Sequence, residues 1–123
     1  MTFGEYFRNL RKSKQFTQEE IASRIGKSKM LVSGIETGRN DAFVDEDLEI
    51  ISEVLELSFD EKIKLFYEAS RARERIPDHI LNYMNSHDEI YGMLEIMVQE
   101  EMGSDSIRKI TGYVEGLRNV KNN

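Results

Sequence analysis

Apolar side chains recur at intervals of three and four residues along most of the chain. This is the spacing of a stripe on one face of an α-helix, and it predicts eight successive helices. The first covers residues 3–13 and places three aromatic rings on its buried face. Phe43, Val44, Leu57 and Phe59 fall between helices and are expected to contact the core. The stripes, in chain order, are Phe3, Tyr6, Phe7 and Leu10; Ile21, Ala22 and Ile25; Val32 and Ile35; Leu48, Ile51, Val54 and Leu55; Ile63, Phe66 and Tyr67, the expected buried face of the fifth helix; Ile80, Leu81 and Met84; Ile90, Tyr91, Leu94, Met97 and Val98; and Ile107, Ile110, Val114 and Leu117.

The second and third predicted helices are joined by a glycine turn. Thr17 and Ser28 are N-cap candidates, and Glu20 follows Thr17 at the spacing of a capping box. Gly26 falls where the second helix must stop, and a residue without Cβ enters positive φ there at little cost. Ala22 is small enough to let the two backbones approach. The residues expected to face outward on the third helix are Lys29, Met30, Ser33 and Gly34.

In this order, Ala22, Gly26, Val32 and Ile35 fit the helix-turn-helix signature counted from Gln18. From about residue 3 to about residue 69, the chain resembles the Xre family of bacterial and phage-repressor DNA-binding domains. The resemblance implies a five-helix, lambda-repressor-like domain, and the apolar pattern beyond it adds a C-terminal extension of about three helices, so we predict an all-α fold. Two amphipathic helices packed in a bundle without a DNA role are the alternative interpretation.

The resemblance also implies roles for individual residues. An arginine at the position of Arg11 commonly pairs with the glutamate that closes the third helix, here Glu36, so we predict a partly buried ion pair. The outward residues of the third helix enter the major groove, N-terminal end first. The base contacts implied in this way are at Ser28, Lys29, Met30, Ser33 and Gly34, and the phosphate contacts are at Thr17, Gln18, Lys27, Arg39 and Asn40.

Gly34 departs from the pattern of many similar domains, which carry a long polar side chain at this position. A glycine loses that contact and weakens a helix by roughly 1 kcal/mol relative to alanine. Either the missing side chain lets the backbone approach the bases more closely, or this protein reads fewer bases.

Charge is distributed unevenly along the chain. A formal net charge of −6 argues at first against nucleic acid, because Lys and Arg supply the affinity for phosphate. Residues 1–40 nevertheless hold eight basic and four acidic residues, a net charge of +4, which leaves −10 for the rest. A basic head on an acidic body could dock on DNA in one orientation. Ordinary solvated acidic surface is the alternative interpretation.

The pattern divides the chain into a DNA-binding domain at 1–70, a hinge or helix continuation at 71–76, a helical extension at 77–118 and a frayed tail at 119–123. Pro77 is expected at the N1 position of the sixth helix. The three short helices of the extension have little to bury alone, so they must pack on the first domain or on another copy.

Methionines are concentrated in the extension. Four of the six, at 84, 93, 97 and 102, lie there, and methionine suits both adaptable interfaces and irregular cores. A dimer or partner interface and a methionine-filled small core therefore both remain open. The candidate interface residues are Ile90, Met93, Leu94 and Met97.

Several classes of chemistry have no motif in the sequence. The chain has no cysteine, and neither a glycine-rich phosphate loop nor a GxSxG motif is present. His79 and His87 lack metal-ligand spacing, so we expect no metal, no cofactor and no enzymatic activity. No apolar run has the length of a membrane span, and the N-terminus lacks a signal-peptide pattern, so we expect a cytoplasmic protein.

These observations favour a sequence-specific transcriptional regulator, acting as a homodimeric repressor or autorepressor on an operator with two half-sites. One alternative is an antitoxin whose acidic C-terminal helices bind a basic toxin while the first domain represses the operon. Another is an interaction module that has lost DNA binding, for which Gly34 and the acidic loop after Asn40 are the hints.

Overall fold

The computed structural model describes residues 1–121, and all regular structure in this range is α-helical. The predicted all-α fold is confirmed. The first 81 residues form one compact unit, and a second unit begins at Asn82, inside the sixth helix. None of the helices within the described range could cross a membrane. The helices are α1 (Phe3–Ser13), α2 (Gln18–Ile25), α3 (Lys29–Glu36), α4 (Asp45–Val54), α5 (Phe59–Arg73), α6 (Asp78–Ser86), α7 (Glu89–Gln99) and α8 (Ser104–Lys121).

Hydroxyl side chains begin four of the first five helices. Thr17 and Ser28 cap α2 and α3 as predicted, each accepting a hydrogen bond of 3.1 Å from a backbone amide three residues on. Thr2 and Ser58 cap α1 and α5 in the same way, and each forms a capping box with the glutamate three residues later. The α4 helix differs, because its N-cap is Val44, which has no side chain that could accept such a bond.

The core of the first unit is built from α1 to α5 and the loop before α4. The Phe7 ring packs edge-on against the Phe43 ring, with their centroids 4.7 Å apart. Both side chains are buried, so the expected core contact of Phe43 is present. The largest fully buried side chains are Phe7, Phe43, Ile21, Leu48, Ile51, Leu65 and Val32.

Four of the expected core positions are wrong. The core side of α5 is formed by Leu65, Phe66 and Ala69, because the helix carries apolar residues on two faces and packs with only one of them. The other face, with Ile63 and Tyr67, lines an open groove of about 400 Å³. These two side chains, together with Phe59 at the start of α5 and Val44 at the N-cap of α4, are exposed: Ile63 51%, Tyr67 54%, Phe59 68% and Val44 44%.

The second unit contains most of α6 and all of α7 and α8. Every side chain described in it, from residue 82 to residue 120, is exposed or half-buried, so the predicted stripes have no core of their own. Pro77 lies one residue before α6 and accepts that helix's first hydrogen bonds, instead of occupying its N1 position. The α8 helix continues through residues 119–121, where fraying was expected, and 122–123 lie outside the described residues.

Candidate DNA-binding surface

The turn between α2 and α3 brings the two helices into close contact. Gly26 adopts the left-handed conformation with φ of +68°, and the next amide, of Lys27, donates a 2.9 Å hydrogen bond to the Ala22 carbonyl. The left-handed glycine and this hydrogen bond end α2 and reverse the chain within two residues. The apolar sides of both helices then meet in the core through the buried residues Ile21, Ala22, Ile25, Val32 and Ile35.

A buried ion pair holds the C-terminal end of α3. The Arg11 guanidinium donates to both carboxylate oxygens of Glu36, from Nε at 2.7 Å and from Nη2 at 3.0 Å. The two side chains are only 8% and 2% exposed. The third nitrogen, Nη1, donates to the Phe16 carbonyl at 2.8 Å. The predicted pair is therefore present, and it links α1 to the end of α3 and to the residue before the α2 cap.

Gln18 belongs to the same network. Its Nε2 donates to Glu36 Oε1 at 3.0 Å, and its side chain is half-buried. The sequence resemblance implied a phosphate contact at this position. In the structure the side-chain amide nitrogen of Gln18 is hydrogen-bonded to Glu36. This bond positions the start of α2 against the end of α3.

Gly4 lets α1 pack directly on the last turn of α3. A Cβ at Gly4 would stand 2.7 Å from the carbonyl carbon of Glu36 and would overlap the carbonyl oxygen of the same residue. No role was predicted for Gly4 from the sequence. Its signal was a glycine inside a predicted helix, where alanine is favoured unless a close contact excludes a side chain.

The N-terminal turn of α3 presents three of the predicted base-contacting residues to solvent. Met30 is 77% exposed, and the Lys29 ammonium lies 3.2 Å from Glu19 on α2 in an exposed ion pair. Ser28 is exposed as well, although its hydroxyl accepts the capping bond from Leu31. Ser33, one turn further on, is half-buried.

Gly34 lies on α3 but is not an open position. The residue is buried, and its carbonyl accepts hydrogen bonds from the backbone amides of Arg39 at 2.8 Å and Asn40 at 3.0 Å. The Thr37 hydroxyl donates to the same oxygen at 3.2 Å. The loop after α3 therefore folds back over this helix.

The residues predicted to contact phosphate have different surroundings. Arg39 and Asn40 are exposed on the loop after α3, whereas the Lys27 ammonium lies 3.8 Å from the buried carboxylate of Asp47. Thr17 uses its hydroxyl and its amide in the capping box with Glu20. The Thr17 backbone amide, by donating to the Glu20 carboxylate, holds the pKa of Glu20 below its ordinary value.

The candidate interface residues lie on α7, in the second unit. Met93 and Leu94 are exposed, at 44% and 36%, while Ile90 and Met97 are half-buried. Their spacing places all four on one side of the helix. This side is apolar and open in the single chain.

Comparison with known proteins adds one finding. The family described as helix-turn-helix domain matches residues 2–64, which include α1 to α4, the turn at Gly26 and the first turn of α5. Neither the curated proteins nor the solved structures gave a match. Because the match covers more than half of the 123 residues and contains the whole α2–turn–α3 arrangement, the chain belongs to the helix-turn-helix domain family.

Proposed function

We propose that the protein is an Xre-type transcriptional regulator that reads double-stranded DNA with α3. The observation that carries this proposal is the arrangement of α3 itself. Its C-terminal end is tied to α1 and α2 through buried Glu36, while Lys29 and Met30 at its N-terminal end are open to solvent. A helix held in this way can enter a major groove with its first turn as a rigid element.

The exposed side chains offer suitable groups for base contacts. Lysine donates to guanine O6 or N7, serine donates to several base edges, and methionine packs against a thymine methyl. Lys29 must first leave Glu19, but an exposed ion pair is worth only about 0–1 kcal/mol, so a base can compete for the ammonium. Arg39 and the exposed N-terminus of α2 supply phosphate contacts that fix the register.

Selection from a random double-stranded DNA library tests this function. We expect the 123-residue chain to enrich a motif with two half-sites, and binding to that motif to weaken steeply with added salt. Enrichment of no sequence above the starting library would contradict the proposal.

The Lys29→Ala variant tests whether α3 makes the base contact. It should lose preference at one base position of each half-site, a loss of roughly 1–3 kcal/mol in discrimination. Lys64→Ala is the matched control, because Lys29 and Lys64 are both 58% exposed and both form a surface ion pair, at 3.2 and 3.1 Å. Equal effects of the two variants on the selected motif would exclude a special role for Lys29.

We also propose that the regulator is a homodimer, joined through the apolar side of α7. A single chain offers one recognition helix, whereas a specific operator is normally read at two half-sites about 34 Å apart. The second unit supports dimerisation because its apolar side chains are not buried within the chain. Repression would follow from exclusion of polymerase at the operator.

Leu94→Glu should convert the dimer to a monomer at tens of micromolar, because it places a charge in the middle of the apolar side of α7. Size-exclusion chromatography with light scattering measures the mass. Gln99→Glu is the control, since it adds the same charge on the far side of the same helix. A monomeric wild type, or equal dissociation by both variants, would show that this side of α7 is not the interface.

An antitoxin remains the second candidate function. The charge of −10 beyond residue 40 and the exposed apolar side chains of the second unit would suit a basic protein partner. A small basic reading frame beside the gene, whose product binds the purified protein, would favour this function over simple autorepression.

A further inference from the structure

We propose that Asn40, on the loop after α3, reads a base from the place that a side chain at position 34 would occupy. The inference rests on the proposed DNA-binding function and adds a specificity-determining residue to it. It differs from the phosphate contact expected for Asn40 from the sequence, because a phosphate contact carries no sequence information.

The geometry of Gly34 carries the inference. A Cβ built on Gly34 would overlap Nδ2 of Asn40 and would stand 2.9 Å from Cγ and 3.6 Å from Cβ of the same residue. The amide end of the Asn40 side chain thus lies in the volume where a side chain of residue 34 would begin. Any residue other than glycine at position 34 would displace Asn40.

Position 34 belongs to the side of α3 that we propose faces DNA. It follows Met30 by four residues, and residues four apart are neighbours on one helix face. Met30 is 77% exposed on that face, and Asn40, whose side chain lies against Gly34, is an exposed residue. The side-chain amide of Asn40 consequently extends the row of outward groups on α3 by one turn, although Asn40 belongs to a loop.

Three hydrogen bonds to one oxygen hold the loop in this position. The Gly34 carbonyl accepts hydrogen bonds from the backbone amides of Arg39 and Asn40, at 2.8 and 3.0 Å, and from the Thr37 hydroxyl, at 3.2 Å. The backbone of Asn40 is therefore fixed to α3, so its side chain is presented by a rigid element, as specific recognition requires.

The chemistry of the side chain indicates which base it reads. The side-chain amide of asparagine offers an NH2 group as donor and a carbonyl oxygen as acceptor, and these match N7 and the N6 amino group of adenine in the major groove. We therefore expect an adenine in each half-site opposite Asn40. This also accounts for the glycine within α3, which weakens the helix relative to alanine but leaves room for the Asn40 side chain.

The test compares the motifs selected from a random DNA library by the wild type, Asn40→Ala, Gly34→Ala and the double variant. We expect Asn40→Ala to lose an adenine preference of about 5- to 150-fold at one position per half-site and to keep the other positions. Gly34→Ala should cause the same loss by displacing Asn40, and the double variant should lose no more than either single variant. Asn9→Ala, on the exposed side of α1, is the control for loss of an amide, and circular dichroism checks that each variant is folded.

Three results would overturn the proposal. An unchanged motif with Asn40→Ala would show that Asn40 reads no base. A uniform loss of affinity for all sequences, with a salt dependence reduced by about one phosphate contact, would show that Asn40 binds the DNA backbone. If the wild type itself enriches no motif, the DNA-binding function and this inference fail together, which separates that result from the other two.

Discussion

Glu36→Ala is expected to lower the free energy of unfolding by about 3–5 kcal/mol. Removing one partner of a buried ion pair leaves the other charge without compensation in a medium that solvates it poorly. Here the charge left behind is the guanidinium of Arg11, whose side chain is 8% exposed and whose remaining hydrogen bond is to the Phe16 carbonyl at 2.8 Å. Gln18 also loses its acceptor. Urea unfolding of the full chain, followed by circular dichroism, measures the loss.

The chain contains a matched control for this prediction. Lys62 and Glu49 form an ion pair of 2.8 Å, close to the 2.7 Å between Arg11 and Glu36, but their side chains are 41% and 47% exposed. Glu49→Ala should cost less than about 1 kcal/mol, because water screens an exposed pair and solvates the partner that remains. A loss below half a kcal/mol for Glu36→Ala would show that burial adds nothing to the Arg11–Glu36 contact.

The local signals in the sequence were sufficient for most of the first unit. Hydroxyl caps, the glycine turn and the periodic apolar stripes each depend on a few neighbouring residues, so the starts of α2 and α3 and the turn at Gly26 could be predicted. Which face of α5 is buried could not be predicted from the sequence. Ile63 and Tyr67 have helical spacing just as good as that of the buried residues, and only the packing of α5 on the rest of the core decides which side is covered.

The candidate site was predictable to a similar degree. The third helix and its exposed residues Lys29 and Met30 follow from the stripe of Val32 and Ile35, whereas Gly34, expected to face outward, is buried. The Arg11–Glu36 pair was expected from the resemblance alone, since residues 25 apart carry no local signal for each other. The Asn40 side chain over Gly34 could not be foreseen, because it depends on the path of a loop that no periodic pattern fixes.

Gly4→Ala is expected to destabilise the first unit by about 1–3 kcal/mol, although alanine is the better helix former. The added methyl group meets the backbone of α3 at the carbonyls of Ile35 and Glu36, and backbone cannot rotate away as a side chain can. The two helices must therefore move apart, which also displaces the last turn of α3 from Arg11. Urea unfolding measures the stability, and binding to the selected DNA motif should weaken in parallel.

Gly92→Ala separates this steric effect from the general effect of replacing a helical glycine. Gly92 lies in α7, and a Cβ built there has no atom within 4 Å, so the substitution should leave stability unchanged or raise it by up to about 1 kcal/mol. If Gly4→Ala were as stable as the wild type, α1 and α3 would have room for a methyl group between them. The end of α3 would then be positioned by the Arg11–Glu36–Gln18 network alone, and Glu36→Ala would have to account for the whole effect on DNA binding.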